Sequence, residues 1–349
     1  MFGKYSKYSS TFFFKKNKHK LIKNRPDIKV HTINFGNKGL NDKYDFNFKF
    51  VIVLLSKIID NIFLFFKILK KVNTHKIKYV HVHNINLLLC AYFLNILFKK
   101  QIILSIGGSD IYNLTKKNLF KILINKVSLV LSVSSDLKKK FNKIYPATPC
   151  AIMGNGVDLN FYNFKNIKKN KIISAVGNIR WQKDYLTLVK AFNQFVKKNA
   201  EYKLFICGNI YDEEEYHKIL KFIKKNSIEH KVIFKGFLKP DQIKKIIYRS
   251  KILIISSVSE GLPKILLESI SCGTPVISTD VGDNLQILEN KKLIVPKKNS
   301  KRMYMAMNSL IKSKKIYNEV INNFYKKRIN YDWKKLVEET ERKIEKIIC

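Results

Sequence analysis

The segment SEGLPKILLESISCGTPVIST, residues 259–279, carries two glutamates separated by seven residues. Acidic residues are scarce in this chain, which has 26 Asp and Glu against 67 Lys and Arg. Pro263 suits the first turn of a helix, because the N–H that proline lacks has no helical partner there. Gly273 and Pro275 are typical of a helix end. The segment therefore predicts a helix that begins near Pro263 and ends near Cys272, with a strand directly after it.

The two glutamates of this segment suit a site for a phosphate and a sugar. Glu260 falls at the predicted helix N-terminus, where the N–H groups of Gly261 and Leu262 would bind an anion. Glu268 falls about one and a half turns further along, where its carboxylate can accept hydrogen bonds from the vicinal hydroxyls of a ribose. Glu260 can also be a favourable charge in a first helical turn, and Glu268 an ordinary solvated residue. Their occurrence together between glycine and proline favours a functional pair.

Short runs rich in β-branched residues alternate with amphipathic helical stretches along most of the chain. Helical periodicity is clearest at 185–196, where apolar residues recur three and four positions apart. The predicted strands are 29–33, 79–83, 102–106, 129–133 and 151–153 in the first half, and 172–176, 204–207, 232–234, 252–256, 276–278 and 293–295 in the second. This alternation predicts an α/β fold of parallel sheets covered by helices on both faces.

The length of 349 residues exceeds that of an ordinary single core, so two domains are expected. The polar segment 163–171 interrupts the alternation and is interpreted as the linker. We expect an N-terminal domain over residues 1–164 and a C-terminal domain over residues 165–331. The charged helix predicted at 332–349 is expected to pack back on the N-terminal domain.

Residues that follow the predicted strands are the main site candidates, since ligands of open parallel sheets bind beyond the carboxyl ends of the strands. In GNIRWQKDY, residues 177–185, Arg180 and Lys183 precede a helix and can stabilise the charge of a diphosphate. In so basic a chain, the same two residues can equally be ordinary solvated cations. Glycines follow several strands, although turns in α/β folds need glycine without any ligand.

The first half of the chain offers three further candidates at strand ends. His83 ends the strand 79–83, and Gly108 and Asp110 follow the strand 102–106. His81 and His83 are two positions apart at a strand end, and we expect their side chains on opposite sides. Two histidines without a third ligand do not make a metal site. An ordinary strand histidine is an equal alternative for His83.

The formal net charge of +41 indicates either a polyanionic partner or lysine-rich codon usage. The lysine runs are spread along the chain, which favours the second interpretation. The five cysteines are far apart and lack metal-ligand spacing, which suits a reducing cytoplasm. The apolar stretch 50–69 is interrupted by Lys57, Asp60, Asn61 and Lys67, so a buried or surface-lying amphipathic helix is expected rather than a membrane span.

Several motifs that carry other chemistries are absent from the sequence. It contains no Asp-x-Asp pair, Walker loop, Gly-x-Gly-x-x-Gly fingerprint, His-Glu-x-x-His element or Gly-x-Ser-x-Gly elbow. These absences count against metal-dependent phosphoryl transfer and against serine hydrolysis.

The sequence EGLPKILLE at 260–268, followed by CGTPVISTDVG at 272–282, resembles the Glu-x7-Glu element of family 4 of the retaining glycosyltransferases. Four more segments resemble that family: SLVLSVSSDLKKKF at 128–141, GNGVDLNFY at 154–162, AVGNIRWQKDYLTLVKAF at 175–192 and IFKGFL at 233–238. The resemblance covers about residues 80–310 and is strongest after Gly154. It implies a GT-B fold, in which two Rossmann-like parallel-sheet domains face each other across a cleft.

The resemblance also implies an activity, the transfer of a hexosyl group from a UDP- or GDP-sugar to a glycan or lipid-linked acceptor with retained anomeric configuration. By position, Lys183 would hold the diphosphate and Glu268 the ribose, while Glu260 with the backbone of Gly261 and Leu262 would hold the donor sugar and its phosphate. The other donor-side positions are Gly177, Asn178, Gly236 and Phe237. The acceptor-side candidates are His83, Gly108 and Asp110. No cofactor and no metal ion are expected.

Three features depart from the family's pattern. Asn178 stands where the family often has arginine, so Arg180 is expected to replace it as a catalytic residue beside Lys183 and Glu260. Gly107 stands where the family often has histidine. The chain opens MFGKYSKYSSTFFFKK where family members have a strand and a Gly-Gly loop, so the N-terminal domain is expected to lack its first strand.

These observations together predict a metal-independent glycosyltransferase of polysaccharide, glycan or glycolipid biosynthesis. We expect it in the cytoplasm, peripheral on the inner membrane face, where its positive charge would bind anionic lipids. No nucleic acid partner is expected, because the sequence has no concentrated basic stripe or RNA-binding motif. Two alternatives remain: a polyanion-binding protein on an inactive GT-B scaffold, and a nucleotide-sugar epimerase.

Overall fold

The computed structural model describes residues 11–15, 29–33, 46–71, 73, 77–108, 110, 122–165 and 167–348. These residues divide into two compact units. The first unit takes the described residues up to Val133, Leu137–Met153 and those from Val337 onward, and the second takes Ser134–Asp136 and Gly154–Leu336. Each unit is built around its own parallel sheet.

The main boundary between the units lies at Met153, earlier than the change at 164/165 expected from the sequence. The reason is that residues after Met153 pack within the second unit. Val157 forms a parallel bridge with Asp332, and a Cβ on Gly156 would lie only 2.8 Å from the indole ring of Trp333.

The first half of the chain folds as strands separated by helices. In chain order its elements are β1 (Thr11–Lys15), β2 (Lys29–Ile33), α1 (Phe46–Lys71), β3 (Tyr79–Val82), a 3-10 turn (Ile85–Leu87), α2 (Leu88–Phe98), β4 (Gln101–Ile106), β5 (Leu129–Ser132), α3 (Ser135–Ile144) and β6 (Cys150–Ile152). β3, β4, β5 and β6 form a four-stranded parallel sheet in that order. β1 and β2 form a separate parallel pair.

β1 corrects the expectation that the N-terminal domain lacks its first strand. The strand lies at Thr11–Lys15, in the opening segment that the sequence analysis left without a strand. Its run of three phenylalanines after a threonine has high β propensity, which is the local signal for it. The predicted strand at 29–33 is confirmed as β2.

The core of the first unit lies on both faces of β4. Ile102 and Leu104 point into a cluster that includes Phe141 of α3, and Ile103 points to the opposite face, where it packs with Ile344 of the C-terminal helix. All of these side chains are fully buried. The alternation of side chains along a strand explains why a continuous apolar run can serve two cores.

The apolar stretch at 50–69 lies inside α1. Leu64 and Phe65 are buried against α2, whereas Phe63 and Phe66 are each 57% exposed. α1 is therefore amphipathic, as the interrupting polar residues indicate. No helix in the described part of the chain is long and apolar enough to cross a membrane.

The second unit is a six-stranded parallel sheet in the order β12-β11-β10-β7-β8-β9. In chain order its elements are β7 (Ile172–Val176), a 3-10 turn (Trp181–Lys183), α4 (Tyr185–Val196), β8 (Lys203–Cys207), α5 (Glu213–Lys225), β9 (Val232–Gly236), α6 (Pro240–Arg249), β10 (Ile252–Ile255), α7 (Lys264–Ser271), β11 (Val276–Thr279), α8 (Asn284–Leu288), a 3-10 turn (Lys291–Leu293), β12 (Ile294–Val295), α9 (Ser300–Lys312), α10 (Lys314–Lys327) and a 3-10 turn (Arg328–Tyr331). The last helix, α11 (Trp333–Ile348), begins in this unit. The prediction of parallel sheets in an α/β fold is confirmed.

α4 shows how the sequence builds this unit. Asp184 takes the N-cap position, and its carboxylate accepts a hydrogen bond from the N–H of Thr187. Leu188, Phe192 and Phe195 are fully buried on the face that packs on the sheet. The spacing of three and four residues therefore creates the apolar stripe that fixes the helix to the sheet.

Replacing Phe192 with alanine tests this core. Because the ring is fully buried, we expect Phe192→Ala to lower the free energy of unfolding of the second unit by about 3–5 kcal/mol. Both tryptophans of the chain, Trp181 and Trp333, lie in this unit, so urea denaturation followed by tryptophan fluorescence reports on it. Lys190→Ala, on the exposed face of the same helix, is the control and should change little. Equal effects of the two variants would contradict the assignment of the helix face.

Candidate functional site

The candidate site is centred on an ion pair at the carboxyl ends of β7 and β10. Lys183 lies in the 3-10 turn after β7, and Glu260 lies in the loop after β10. The Nζ of Lys183 is 2.5 Å from Oε1 of Glu260, and the two side chains are 25% and 16% exposed. Two residues that the sequence singled out separately, 77 positions apart, are thus brought into direct contact.

Both loops that carry the ion pair are tied to each other by further hydrogen bonds. The Oγ of Ser257 donates to Oε1 of Glu260 at 2.8 Å, and the Oγ of Ser256 donates to the carbonyl of Lys183 at 2.6 Å. The N–H of Val258 donates to the carbonyl of Gln182 at 2.8 Å. The ammonium and the carboxylate are therefore held in place by their backbones and by a neighbouring hydroxyl.

Gly177 leaves room for the lysine side chain at the end of β7. A Cβ on Gly177 would lie 2.9 Å from Cε of Lys183 and 3.1 Å from the hydroxyl of Tyr185. That hydroxyl donates to the carbonyl of Gly177 at 2.8 Å, and burial raises the pKa of Tyr185, which keeps it protonated as a donor. Gly177, which was predicted to lie beside the sugar donor, thus lets the side chain of Lys183 cross the end of β7.

The segment between Glu260 and α7 presents backbone N–H groups beside the ion pair. α7 starts at Lys264 with Pro263 as its N-cap, one residue from the predicted start. The carbonyl of Leu262 accepts a hydrogen bond from Nδ2 of Asn155 at 2.8 Å. Within the described part of the chain, the N–H groups of Gly261 and Leu262 donate to no protein acceptor. Backbone donors without a protein acceptor can bind an anion.

Gly282 supports this segment from the loop after β11. Its φ is +52°, and a Cβ there would lie 1.9 Å from the carbonyl oxygen of Gly261. The N–H of Asp283 donates to the same oxygen at 3.2 Å. Only glycine combines this left-handed backbone with so close an approach. The loop after β11 therefore determines where the Gly261 backbone lies.

Glu268 lies in α7 and has a partner other than Lys183. Burial raises the pKa of Glu268, and the neighbouring hydroxyl of Tyr162 opposes this shift. The same burial, followed by the nearby negative charge of Glu268, raises the pKa of Tyr162. The two glutamates of the Glu-x7-Glu segment thus belong to different hydrogen-bond networks in the same unit.

Arg180 and Asn178 are both engaged with the loop after β8. The guanidinium of Arg180 lies 4.4 Å from the ring centroid of Tyr211, and Oδ1 of Asn178 accepts a hydrogen bond from the N–H of Asn209 at 3.1 Å. Arg180 is thus stacked on an aromatic ring instead of hydrogen-bonded to the ion pair. Its role beside Lys183 stays a prediction.

Gly236 is the last residue of β9, and Phe237 follows it at the carboxyl ends of the strands. Gly236 has a φ of +58° with open space where a Cβ would project. The side chain of Phe237 is 69% exposed. An exposed aromatic ring at a strand end can stack on a planar ligand group, and the donor-side role of this residue stays a prediction.

The first-unit candidates are placed differently from the expectation in one respect. The rings of His81 and His83 lie 4.0 Å apart, so the two side chains do not point to opposite sides. The expectation was wrong because residues two positions apart in a strand point to the same side, and His83 directly follows His81 and Val82 of β3. Nε2 of His81 is 2.8 Å from Oγ of Ser105, and burial lowers the pKa of His81.

Asp110 is used locally in the loop after β4. Its Oδ2 accepts a hydrogen bond from the N–H of Gly107 at 2.7 Å, which closes a tight turn around Gly108. Ser109 lies outside the described residues. Among the residues that the structure describes, no group of three or more His, Cys, Asp or Glu side chains could hold a metal ion.

Three contributing residues were missed by reasoning from the sequence: Tyr162, Tyr185 and Gly282. The neighbours of Tyr162 and Gly282 are distant along the chain, at Glu268 and Gly261, whereas Tyr185 contacts Gly177, eight residues earlier in the same segment. The only local signal is for Gly282, a glycine shortly after a strand and next to Asp283. Ser256 and Ser257 did have a signal, since they follow the buried strand β10 directly.

Much of the second unit matches a known protein family. Residues 157–327 match the family model described as glycosyl transferases group 1. N-acetyl-alpha-D-glucosaminyl L-malate synthase of Bacillus anthracis is 27% identical over 229 residues, which cover 60% of this chain and 58% of that protein. The chain therefore spans little more than half the length of this curated relative.

Two solved structures share the overall architecture. The Anabaena protein Alr3699/HepE, crystallised in complex with UDP, aligns with a TM-score of 0.75 and 14% identity over 97% of this chain and 100% of that one. Sucrose-phosphate synthase from Thermosynechococcus elongatus aligns with a TM-score of 0.76 and 15% identity over 97% of this chain and 88% of that one. At these identities the likeness shows the fold, and it confirms the prediction of GT-B.

A pair of glycine variants tests the support of the Gly261 backbone. Gly282→Ala combines a left-handed backbone with a severe contact, so we expect it to lower the free energy of unfolding by about 2 kcal/mol or more. Gly236→Ala has nearly the same φ but open space around its Cβ, so it should cost only about 1 kcal/mol. Urea denaturation followed by tryptophan fluorescence measures both. A cost of Gly282→Ala no larger than that of Gly236→Ala would show that the close approach is unimportant.

The raised pKa of Glu268 makes a prediction about pH. A buried carboxyl with a raised pKa stabilises the fold below its unfolded value of 4.5, and this contribution is lost as the pH rises through the folded value. We therefore expect Glu268→Gln to be more stable than the parent protein at pH 7.5, with no difference at pH 4. Glu229→Gln, at an exposed position of the same unit, is the matched control. The midpoints of urea denaturation at both pH values measure this difference. A Glu268→Gln variant that is less stable than the parent protein at pH 7.5 would refute the raised pKa of Glu268.

Proposed function

We propose that this chain, whose residues 157–327 belong to the glycosyl transferases group 1 family, transfers a sugar from a nucleotide-sugar donor to an acceptor hydroxyl with retained anomeric configuration. The observation that carries the proposal is the Lys183–Glu260 ion pair beside the N–H groups of Gly261 and Leu262. An ammonium and two backbone donors next to a carboxylate suit a ligand that has both a phosphate and hydroxyl groups.

The proposed main contribution to catalysis is stabilisation of the leaving nucleoside diphosphate. As the bond between the sugar C1 and the phosphate oxygen breaks, negative charge grows on that oxygen. Lys183 and the N–H groups of Gly261 and Leu262 are preorganised donors for this charge, because the surrounding hydrogen bonds already hold them in place. No reorganisation is then needed at the moment of reaction.

The acceptor step needs no nucleophile from the protein on this proposal. The acceptor oxygen forms its bond to C1 on the face that the diphosphate leaves, and the acceptor proton passes to the departing phosphate oxygen. Glu260, held by Lys183 and Ser257, is proposed to accept hydrogen bonds from hydroxyls of the transferred sugar. Arg180 is proposed to assist at the diphosphate once it leaves its stack on Tyr211.

Glu268 is proposed to bind the ribose hydroxyls of the donor, with Phe237 against the base. A carboxylate that is partly desolvated gains more from two hydroxyl donors than a solvated one does, since it exchanges few water molecules for them. The donor is proposed to be a UDP- or GDP-sugar. The structure of the Anabaena protein with UDP supports the uridine nucleotide among these choices.

The proposal includes no metal ion and no cofactor, since Lys183 and the backbone donors supply the positive charge at the phosphate. The acceptor is proposed to be a glycan or a lipid-linked glycan, as part of polysaccharide, glycan or glycolipid synthesis. We place the protein in the cytoplasm, at the inner membrane face, on the strength of its net charge of +41. No observation favours a polyanion-binding protein or an epimerase.

A donor screen tests the proposal directly. We expect a UDP- or GDP-sugar to raise the melting temperature of the purified chain, and an ADP-sugar to have little effect. Mass spectrometry of an incubation with donor and a panel of glycan acceptors should then detect the transferred sugar. A chain that binds none of the three nucleotide sugars would overturn the proposed function.

Lys183→Ala tests the role of the ion pair. Removal of one preorganised donor to the leaving group should lower turnover by about 10²–10³-fold, which corresponds to about 3–4 kcal/mol. The measurement is release of the nucleoside diphosphate, with tryptophan fluorescence to verify that the variant is folded. Lys190→Ala, on the exposed face of α4, removes the same charge away from the site and should keep full turnover. Retained turnover in Lys183→Ala would remove Lys183 from the mechanism.

A further inference from the structure

The second unit has a cavity at the amino ends of its strands, opposite the carboxyl ends where Lys183 and Glu260 lie. It has a volume of about 420 Å³ and lies between the segment before β7, the turn before β11 and helix α10. Lys169 and Lys251 precede β7 and β10, and Gly273 precedes β11. These are the amino ends of the strands, whereas Lys183 and Glu260 follow carboxyl ends. We refer to this cavity as the amino-end groove.

The amino-end groove is positively charged. Its lining contains no Asp or Glu among the described residues, and it contains five lysines, Lys165, Lys168, Lys169, Lys251 and Lys314. In a chain with many lysines on solvated faces, such a concentration in one concave surface is more informative than the net charge. A groove of this kind attracts an anion and raises its local concentration.

Lys169 is the distinctive member of this set. Its ammonium donates to Oγ1 of Thr274 at 2.7 Å, and no carboxylate in the described part of the chain forms an ion pair with it. Burial, together with the charge of Lys251, lowers its pKa to about 8. By contrast, the neighbouring Lys171 is exposed and pairs with Glu201 at 3.2 Å. A partly buried ammonium with a single neutral acceptor has unused donors for an anion.

One wall of the amino-end groove is apolar and aromatic. Phe164 lies directly on Gly273, where a Cβ would come within 2.4 Å of the ring, and its ring packs edge-on against Tyr325 at 4.8 Å. A second cavity of about 390 Å³ continues the groove along Phe164, Ile321 and Tyr325. Tyr317 is buried under the ammonium of Lys251, with 3.8 Å between the Nζ and the ring centroid.

The charged and the apolar parts are adjacent, and together they fit one kind of ligand. We propose that the amino-end groove binds an amphiphile with a phosphomonoester head, which lies between Lys169 and Lys251, and an apolar chain, which lies along Phe164 and Ile321. A phosphomonoester carries about two negative charges at neutral pH, so it can pair with both ammonium groups. A chain of several methylenes gains binding free energy as its apolar surface is buried on the aromatic wall.

The test uses the full chain and a short alkyl phosphate. Octyl phosphate, inorganic phosphate and octanol are each titrated into the protein by isothermal calorimetry. We expect octyl phosphate to bind at least tenfold more tightly than inorganic phosphate, and octanol to show no binding. Equal affinity for inorganic and octyl phosphate would overturn the amphiphile assignment, and so would the absence of octyl phosphate binding.

Matched variants locate the ligand. Lys169→Met and Lys251→Met should each weaken octyl phosphate at least tenfold, whereas Lys171→Met, which removes an exposed lysine outside the groove, should not. Lys169→Met keeps its aliphatic stem, and Thr274 still donates to the carbonyl of Ile247, so the fold should be retained. Unchanged binding in Lys169→Met and Lys251→Met would place the ligand elsewhere and overturn the proposal. Nucleotide-sugar binding should be unaffected in both variants, so this result is independent of the proposed function.

Discussion

The contact between Lys183 and Glu260 joins two loops that are 77 residues apart. Because β7 and β10 pair in parallel, both loops lie at the carboxyl ends of the strands. Ser256 holds them together through its hydrogen bond to the carbonyl of Lys183. An ion pair with this exposure stabilises a fold by only about 1 kcal/mol or less. Its main consequence is therefore positional. It keeps an ammonium, a carboxylate and the N–H groups of Gly261 and Leu262 together at the carboxyl ends of the strands.

Most of the second unit could be predicted because its signals are local. The apolar spacing at 185–196 indicates α4 with the bounds that the structure shows. Proline and glycine indicate α7 to within one residue at its start, since helix caps depend on single residues. The strands from β7 to β12 also fall within two residues of the predicted ranges. In each case the pattern that defines the element lies inside the element.

The partners of the site residues could not be predicted, because they depend on tertiary packing. Glu268 has the same neighbours in the sequence whether it faces solvent or Tyr162, and only the structure shows the hydroxyl and the burial. Arg180 likewise stacks on Tyr211, which a separate loop brings to it. The histidines at the end of β3 were misjudged because side chains two positions apart in a strand share a face and do not oppose each other. Spacing identifies candidates, but it does not identify what they contact.

The charges at the carboxyl and amino ends of the strands explain why the number of lysines alone says little about binding. Lys183 has Glu260 as its counter-charge, whereas within the described residues the ammonium of Lys169 bonds to a neutral hydroxyl and forms no ion pair. On the proposed function, a neutralised lysine suits a catalytic site. Glu260 limits how strongly the empty site binds any anion, and the backbone N–H groups gain most when charge develops on the leaving oxygen. A lysine without a carboxylate partner at the carboxyl ends would bind the diphosphate product as well as the transition state. Release of the product would then be slow. An uncompensated lysine is better suited to a site that only binds, which is where Lys169 lies.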